Sequence, residues 1–275
     1  MTPFQTSNPA LATDSSNPFA FRDAGAMEAI TQTATMAGVI QKTTFLVTLA
    51  MAAGVGGFMV FKAYPATLWV GSIAAFVITL GIFFVMRGNP MRAIWLAPLY
   101  ALVQGALLGG VTGIMEQLLI ARLGTSVPGG LAFQALVVTG GAMGATLILY
   151  RAGILRPTQR FKAVLGAATL GIMITYLISF ALSFFGISMP FISLASTMES
   201  GTVGLIGLGL NLVILVIASL TLVTDFGMIE DQVNAGAPKR MEWYCGFALL
   251  VTLAWIYFEA VKLIVRLAMI FGRRN

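Results

Sequence analysis

Asp225, Glu259 and Arg87 are the residues whose types and surroundings point most directly to chemistry. Each lies inside or at the end of a long apolar stretch, where an ionised side chain is costly and by default has a partner and a function. Two carboxyl groups that meet in such a place titrate as a pair and can share a proton. A guanidinium can bind their ionised form. Two acids with a basic partner on neighbouring helices would make a titratable latch, but spacing alone does not show that they meet. The basic residues on the same side of the membrane as Asp225 are Arg87, Lys239 and Arg240.

Other polar residues offer a simpler interpretation. Lys262 and Arg266 follow Glu259 at helical spacings of three and seven, so they share its face of a helix. An ion pair between Glu259 and Lys262 alone, with both groups reaching toward the membrane surface, is the alternative to such a latch. Arg87 could likewise be a basic anchor at the end of a span. Two isolated polar residues are secondary candidates: Glu116 and Asn211.

The residue types that are missing exclude several reactions. The sequence has no histidine, which removes serine–histidine catalysis and histidine-ligated zinc or haem. Cys245 is its one cysteine, so a disulfide framework is excluded as well. Intramembrane aspartyl proteolysis would need a Gly-x-Gly-Asp arrangement, and the nearest run, at residues 207–210, has leucine in place of the acid. We therefore expect no enzyme activity and no cofactor.

The elements that must position these residues are membrane-spanning helices. Of the 275 residues, 58% are hydrophobic and only 9% are charged, whereas soluble domains carry about 25% charged residues. The mean hydropathy is +0.92. Because about 20 apolar residues are needed to cross a bilayer as a helix, the pattern predicts an all-α bundle of seven transmembrane helices. The predicted spans are residues 43–61, 67–86, 93–115, 131–150, 163–185, 203–224 and 243–270.

The first forty residues are polar and proline-containing, and they predict a tail that is disordered or forms a short amphipathic surface helix. The transmembrane domain is then expected over residues 41–275. Basic residues in short loops predict orientation, because they are enriched in the cytoplasm. Ten of them fall on the side of the N-terminus and four on the other side, which predicts a cytoplasmic N-terminus.

Glycines at four-residue spacing mark places where helices can approach closely. They occur at Gly105, Gly109 and Gly113 in the third span and at Gly140 and Gly144 in the fourth. We expect them to form packing seams inside one bundle, with a homodimer face as the alternative.

At several of these positions the sequence resembles the Bax-inhibitor (transmembrane Bax inhibitor motif, TMBIM) family in its bacterial branch. The resemblance covers residues 41–271 and is carried by residues 84–87, 104–110, 224–226, 236–244 and 256–259. It implies a seven-helix bundle with the last helix at the centre, in the bacterial inner membrane. It also implies a pH-sensitive calcium leak, with Asp225 and Glu259 as the proton-sharing pair and Arg87 as their latch.

Several points stay open in this prediction. The chain between Asp225 and Glu259 must loop out if the two acids are to meet, since otherwise they lie at different depths. The same carboxylates, Asp225 and Glu259, would be the weak calcium ligands of such a channel. The alternative function is a membrane interaction factor that binds a protease or another membrane complex without ion flux. Secondary transport also stays open.

Overall fold

The structure, a computed structural model, describes residues 33–272. Within these residues seven long helices follow one another, with short 3-10 turns at Pro90–Arg92 and Ala195–Met198. The helices are α1 (Met36–Ala63), α2 (Thr67–Gly88), α3 (Ala93–Leu123), α4 (Leu131–Arg151), α5 (Gln159–Ser183), α6 (Gly201–Asn234) and α7 (Met241–Phe271).

All seven helices are long and apolar enough to cross a membrane, which confirms the predicted all-α, seven-span fold. The helical form is required because no water is available in the hydrocarbon core to satisfy an open backbone. Apolar side chains cover most of their circumference, so large residues such as Trp95, Phe84 and Val164 remain exposed where lipid would surround the bundle.

Local capping sets where α1 begins. The Thr35 side chain accepts a 3.0 Å hydrogen bond from the Gly38 amide, as an N-cap residue does. The helix therefore starts at Met36, slightly before the predicted domain boundary at residue 40. The predicted disordered or amphipathic tail otherwise falls on residues 1–32, which lie outside the described part of the chain.

The last helix is central. Of its most apolar window, 72% is buried, against 11–39% for the other six helices. Helix α7 also contributes to all three hydrophobic clusters: Ile264 packs with α3 and α4, Ile256 with α1 and α6, and Phe247 with α1, α2 and α3. Side chains in the middle of α7 such as Ile256 and Glu259 are therefore fully enclosed by protein.

Close backbone approach joins α1 to α3, as the glycine spacing predicted. A Cβ atom added to Gly105 would lie 2.2 Å from the Ala50 carbonyl oxygen, and one added to Gly109 would lie 1.9 Å from that of Gly54. The seam in α3 is thus confirmed as packing inside the bundle. Gly140 and Gly144 of α4 have no such neighbour among the described residues, so this second pair forms no seam within the described chain.

Helix α5 lies at the edge of the bundle. It packs mainly against α6, and only 11% of its apolar window is buried. Its inner face nevertheless reaches α7 through the side chain of Tyr176. Between α5 and α6 a cavity of about 540 Å³ remains, with Lys162 and Asp225 among the lining residues.

Candidate functional site

Glu259 lies near the middle of α7 and is completely buried. Its carboxylate accepts hydrogen bonds from three other residues: Lys262 of the same helix, Asn211 of α6 and Tyr176 of α5. We call these four residues the Glu259 cluster. An ionised group at this depth is costly unless it is paired and hydrogen-bonded, and here both carboxylate oxygens have donors.

Lys262 supplies the positive charge of the cluster. Its ammonium lies 3.3 Å from Oε1 and 3.1 Å from Oε2 of Glu259, and 2.8 Å from the hydroxyl oxygen of Tyr176. It also lies 4.7 Å and 5.3 Å from the ring centroids of Tyr176 and Phe258, within cation–π range. Only 1% of Lys262 is exposed, so the pair does not reach toward the membrane surface as the alternative interpretation expected.

Asn211 and Tyr176 complete the cluster from two other helices. The Asn211 side-chain amide donates to Glu259 Oε2 at 2.6 Å and to the Glu259 backbone carbonyl at 3.3 Å. Its own carbonyl oxygen, Oδ1, is buried and has no hydrogen-bond partner among the described residues. Sequence analysis singled out Asn211 but missed Tyr176, whose one distinguishing sign is a hydroxyl in the middle of an apolar span.

Arg266, two turns beyond Glu259, fixes the loop between α5 and α6. Its guanidinium donates to the carbonyl oxygens of Ser196 at 3.2 Å and Phe191 at 2.6 Å, and to the Ser196 hydroxyl at 3.0 Å. Phe191 has a φ of 66°, which is unusual for a residue other than glycine. Gly207 makes room for the guanidinium, because a Cβ there would lie 2.0 Å from Nη1. The loop is thereby drawn into the end of the bundle.

Asp225 belongs to a different site. It is half-buried, and its Oδ2 accepts a 2.6 Å hydrogen bond from the hydroxyl of Thr252 on α7. The carboxyl group faces the cavity between α5 and α6, which is also lined by three threonines: Thr169, Thr221 and Thr224. Asp225 therefore faces this cavity, which we call the Asp225 groove, whereas Glu259 does not.

The structure does not bring Asp225 and Glu259 into hydrogen-bond contact. Thr252, the partner of Asp225, precedes Glu259 by two turns, or about 10 Å along the axis of α7. The physical reason lies in the extra residues between the acids: α6 continues to Asn234 and α7 begins at Met241, so these residues lengthen two helices instead of forming a loop. The sequence left open whether the two acids meet or lie at different depths, and in the structure they lie at different depths.

No ion pair of the described residues joins Arg87 to either acid, and Glu116 has no bond to the Glu259 cluster. Arg87 ends α2 with an exposed side chain and forms no ion pair with another described residue, although its neighbour Met86 is buried against α7. Glu116 is half-buried on α3 near Gly130, where α4 begins. The described residues contain no group of three acidic, cysteine or histidine side chains that could hold a metal ion.

Glu242 is a buried acid that sequence analysis missed. Its Oε1 accepts hydrogen bonds from the Thr35 amide at 3.1 Å and the Thr35 hydroxyl at 3.2 Å, at the start of α1. Ala34 donates to the carbonyl oxygen of Ala237 in the loop before α7. The entry of α1 is therefore fastened to the loop between α6 and α7. Glu242 stands in the first turn of α7, where a carboxylate is favourable against the helix dipole.

Comparison with known proteins places this arrangement in a family. No curated protein and no solved structure matches the chain. A family model described as Bax inhibitor 1 like matches residues 8–269, which includes every helix that builds the Glu259 cluster and the Asp225 groove. The chain is an integral membrane protein whose described residues form seven long helices with α7 at the centre, and it belongs to the Bax inhibitor 1-like family.

Proposed function

We propose that this protein is a passive cation leak of the membrane, with calcium as the permeant ion and with protonation of its membrane acids as the control. The observation that carries the proposal is the burial of Glu259, Lys262 and Arg266 on one helix in the middle of the bundle. Charges inside a membrane protein are costly and mark ion pathways and relays. A purely structural bundle would be more stable with apolar residues of similar size there.

The Asp225 groove supports an entry point for cations. Asp225 offers a carboxylate and Thr169, Thr221 and Thr224 offer hydroxyl oxygens, and hard cations such as calcium prefer oxygen ligands. Thr169 Oγ1 has no hydrogen-bond partner among the described residues, so this hydroxyl is not committed to another group. Because the groove opens between α5 and α6, a small outward movement of α5 would widen it.

The control by protons is assigned to the two acids separately, with Asp225 at the groove and Glu259 at the centre. Protonation of Asp225 removes the negative charge that attracts a cation. Protonation of Glu259 removes the partner of Lys262 and biases the helices that meet there. We assign Arg87 the role of a latch at the same end of the bundle as Asp225. In a second arrangement of the helices, its guanidinium would compete with cations for the Asp225 groove.

Calcium flux into proteoliposomes tests this function. Flux above that of protein-free vesicles should vary with pH, and Asp225→Asn should reduce that variation while the protein stays folded. Thr224→Val serves as the matched control, because it alters the same wall of the groove without removing a titratable group. Flux indistinguishable from protein-free vesicles at every pH would reject the proposal.

A second candidate function, an interaction factor without ion flux, is supported by the fastening of Thr35 to Glu242. Residues 33–35 lie against the loop that precedes α7, so the N-terminal residues and this loop can present one composite surface to a membrane complex. Deletion of residues 1–32 should then change the set of proteins that co-purify. An unchanged set would count against it.

We further propose that the protein resides in the bacterial inner membrane with its N-terminus in the cytoplasm and has no enzymatic activity. The loop basic residues of the described chain support the orientation, because Arg151, Arg156 and Arg160 all lie at the end of the bundle where α1 begins. Labelling of single cysteines placed in the loops after α4 and after α5 would test it.

A further inference from the structure

The positive charge of the Glu259 cluster is the ammonium group of a side chain, that of Lys262. The Lys262 ammonium contacts both carboxylate oxygens of Glu259 and the hydroxyl oxygen of Tyr176. An ammonium has three N–H donors, and here three oxygen atoms surround it. A group of oxygens converging on one positive centre is also what a hard metal cation requires.

The side-chain amide of Asn211, which contacts Glu259 through its nitrogen, also carries an oxygen that is unpaired among the described residues. This oxygen, Oδ1, is buried. A buried carbonyl oxygen without a donor is costly, and an ammonium whose three protons are already used cannot satisfy it. A metal ion has no such limit, because it takes six or more oxygen ligands when it is calcium.

We propose that Glu259, Tyr176 and Asn211 form a site for a small hard cation, and that the Lys262 ammonium occupies this site as a tethered substitute. Lys262 thereby keeps free cations out of the centre of the bundle. This inference rests on the proposed cation leak, to which it adds the element that closes the central path. Its direct consequence is that removal of the ammonium, with Glu259 left in place, opens the site to calcium.

The variant Lys262→Met tests this assignment, because methionine retains an unbranched side chain and removes the charge. Purified protein in detergent is titrated with calcium chloride, and the melting temperature is followed. Lys262→Met should melt at a higher temperature as calcium is added, with an apparent affinity at least about tenfold above that of the wild type. Magnesium chloride in parallel measures selectivity.

Three comparison variants make the test specific. Glu259→Gln combined with Lys262→Met removes both charges and should show no response to calcium. Lys262→Arg retains a tethered cation and should also show none. Lys62→Met removes a lysine at the end of α1, 5.2 Å from the ring of Phe58, and should behave as the wild type does. An equal calcium response of Lys262→Met and the wild type would overturn the proposal.

Failure of Lys262→Met to fold is also informative. The proposal predicts that calcium chloride present during solubilisation restores folded protein, because the metal replaces the missing positive charge. If Lys262→Met stays unfolded at every calcium concentration while the double variant folds, the site does not accept a free cation and the proposal is wrong. Absence of calcium flux in wild-type vesicles would instead reject the leak itself, since the melting measurement needs no transport.

Discussion

The hydroxyl of Thr252 on α7 donates a 2.6 Å hydrogen bond to Asp225 on α6. Thr252 is itself buried, so this bond joins the central helix to the acid at the groove. Glu259 lies two turns beyond Thr252 on α7 and has other hydrogen-bond partners, so the two acids belong to separate sites.

Replacement of this hydroxyl should destabilise the protein measurably. Thr252→Val keeps the shape of the side chain and removes the donor, so Asp225 loses its partner. Interhelical hydrogen bonds in membrane proteins contribute about 1 kcal/mol, and we expect a loss of that size in unfolding free energy in detergent or bicelles. Thr252→Ser keeps the hydroxyl and should lose less than half as much. Equal losses for both variants would show that the methyl packing matters instead.

The seam between α1 and α3 should not tolerate even one added methyl group. Gly109→Ala would place a Cβ 1.9 Å from the Gly54 carbonyl oxygen, a contact that backbone atoms can relieve only by separating the two helices. We expect a loss of at least about 2 kcal/mol in unfolding free energy, as for other overpacked cores.

Gly140→Ala is the matched control for this prediction. Gly140 lies in α4 with no described atom within 4 Å of the added Cβ, and alanine is the better helix former by about 1 kcal/mol. Gly140→Ala should therefore leave the protein as stable as the wild type or more so. A stability loss in Gly140→Ala equal to that in Gly109→Ala would contradict the assignment of the seam.

Removal of the Arg266 guanidinium should release the loop between α5 and α6. In Arg266→Met the carbonyl oxygens of Phe191 and Ser196 lose their donor, and the positive φ of Phe191 loses the contact that holds it. We expect amide hydrogen exchange across residues 191–199 to accelerate at least about tenfold. Arg122→Met removes an exposed arginine at the end of α3 and should leave this exchange unchanged.

The contact between Glu242 and Thr35 should govern the start of α1. Glu242→Ala removes the acceptor for the Thr35 amide and hydroxyl, so the amides of residues 35–38 should exchange faster. Glu242→Gln keeps a carbonyl oxygen in place and should preserve most of the protection. Identical exchange in wild type and Glu242→Ala would show that the Thr35 cap alone holds the helix end.

The spans could be predicted because each depends only on local composition: a helix such as α2 is apolar along its whole length, and no partner is needed to recognise it. The pairing of Glu259 with Lys262 could also be predicted, since a spacing of three residues places both side chains on one face of a helix. The role of Tyr176 could not be predicted, because it depends on how α5 packs against α6 and α7. The same holds for Glu242, whose partner Thr35 lies at the far end of the chain.

The family resemblance identified Asp225 and Glu259 as candidate residues but did not predict the distance between them. Local motifs identified both acids. The distance between them, however, depends on helix length: α6 continues beyond Asp225 to Asn234, and α7 begins at Met241, well before Glu259. Helix length in this segment is decided by the absence of an early helix-breaking residue, a property that the motifs do not contain.

Helix α5 lies at the edge of the bundle and packs mainly against α6, yet it supplies Tyr176 to the buried charges of the Glu259 cluster. A shift of α5 by a few ångströms would take the Tyr176 hydroxyl from Lys262 and Glu259 together and widen the Asp225 groove in the same movement. One edge helix thus joins the surroundings of the two acids, Asp225 at the groove and Glu259 at the centre.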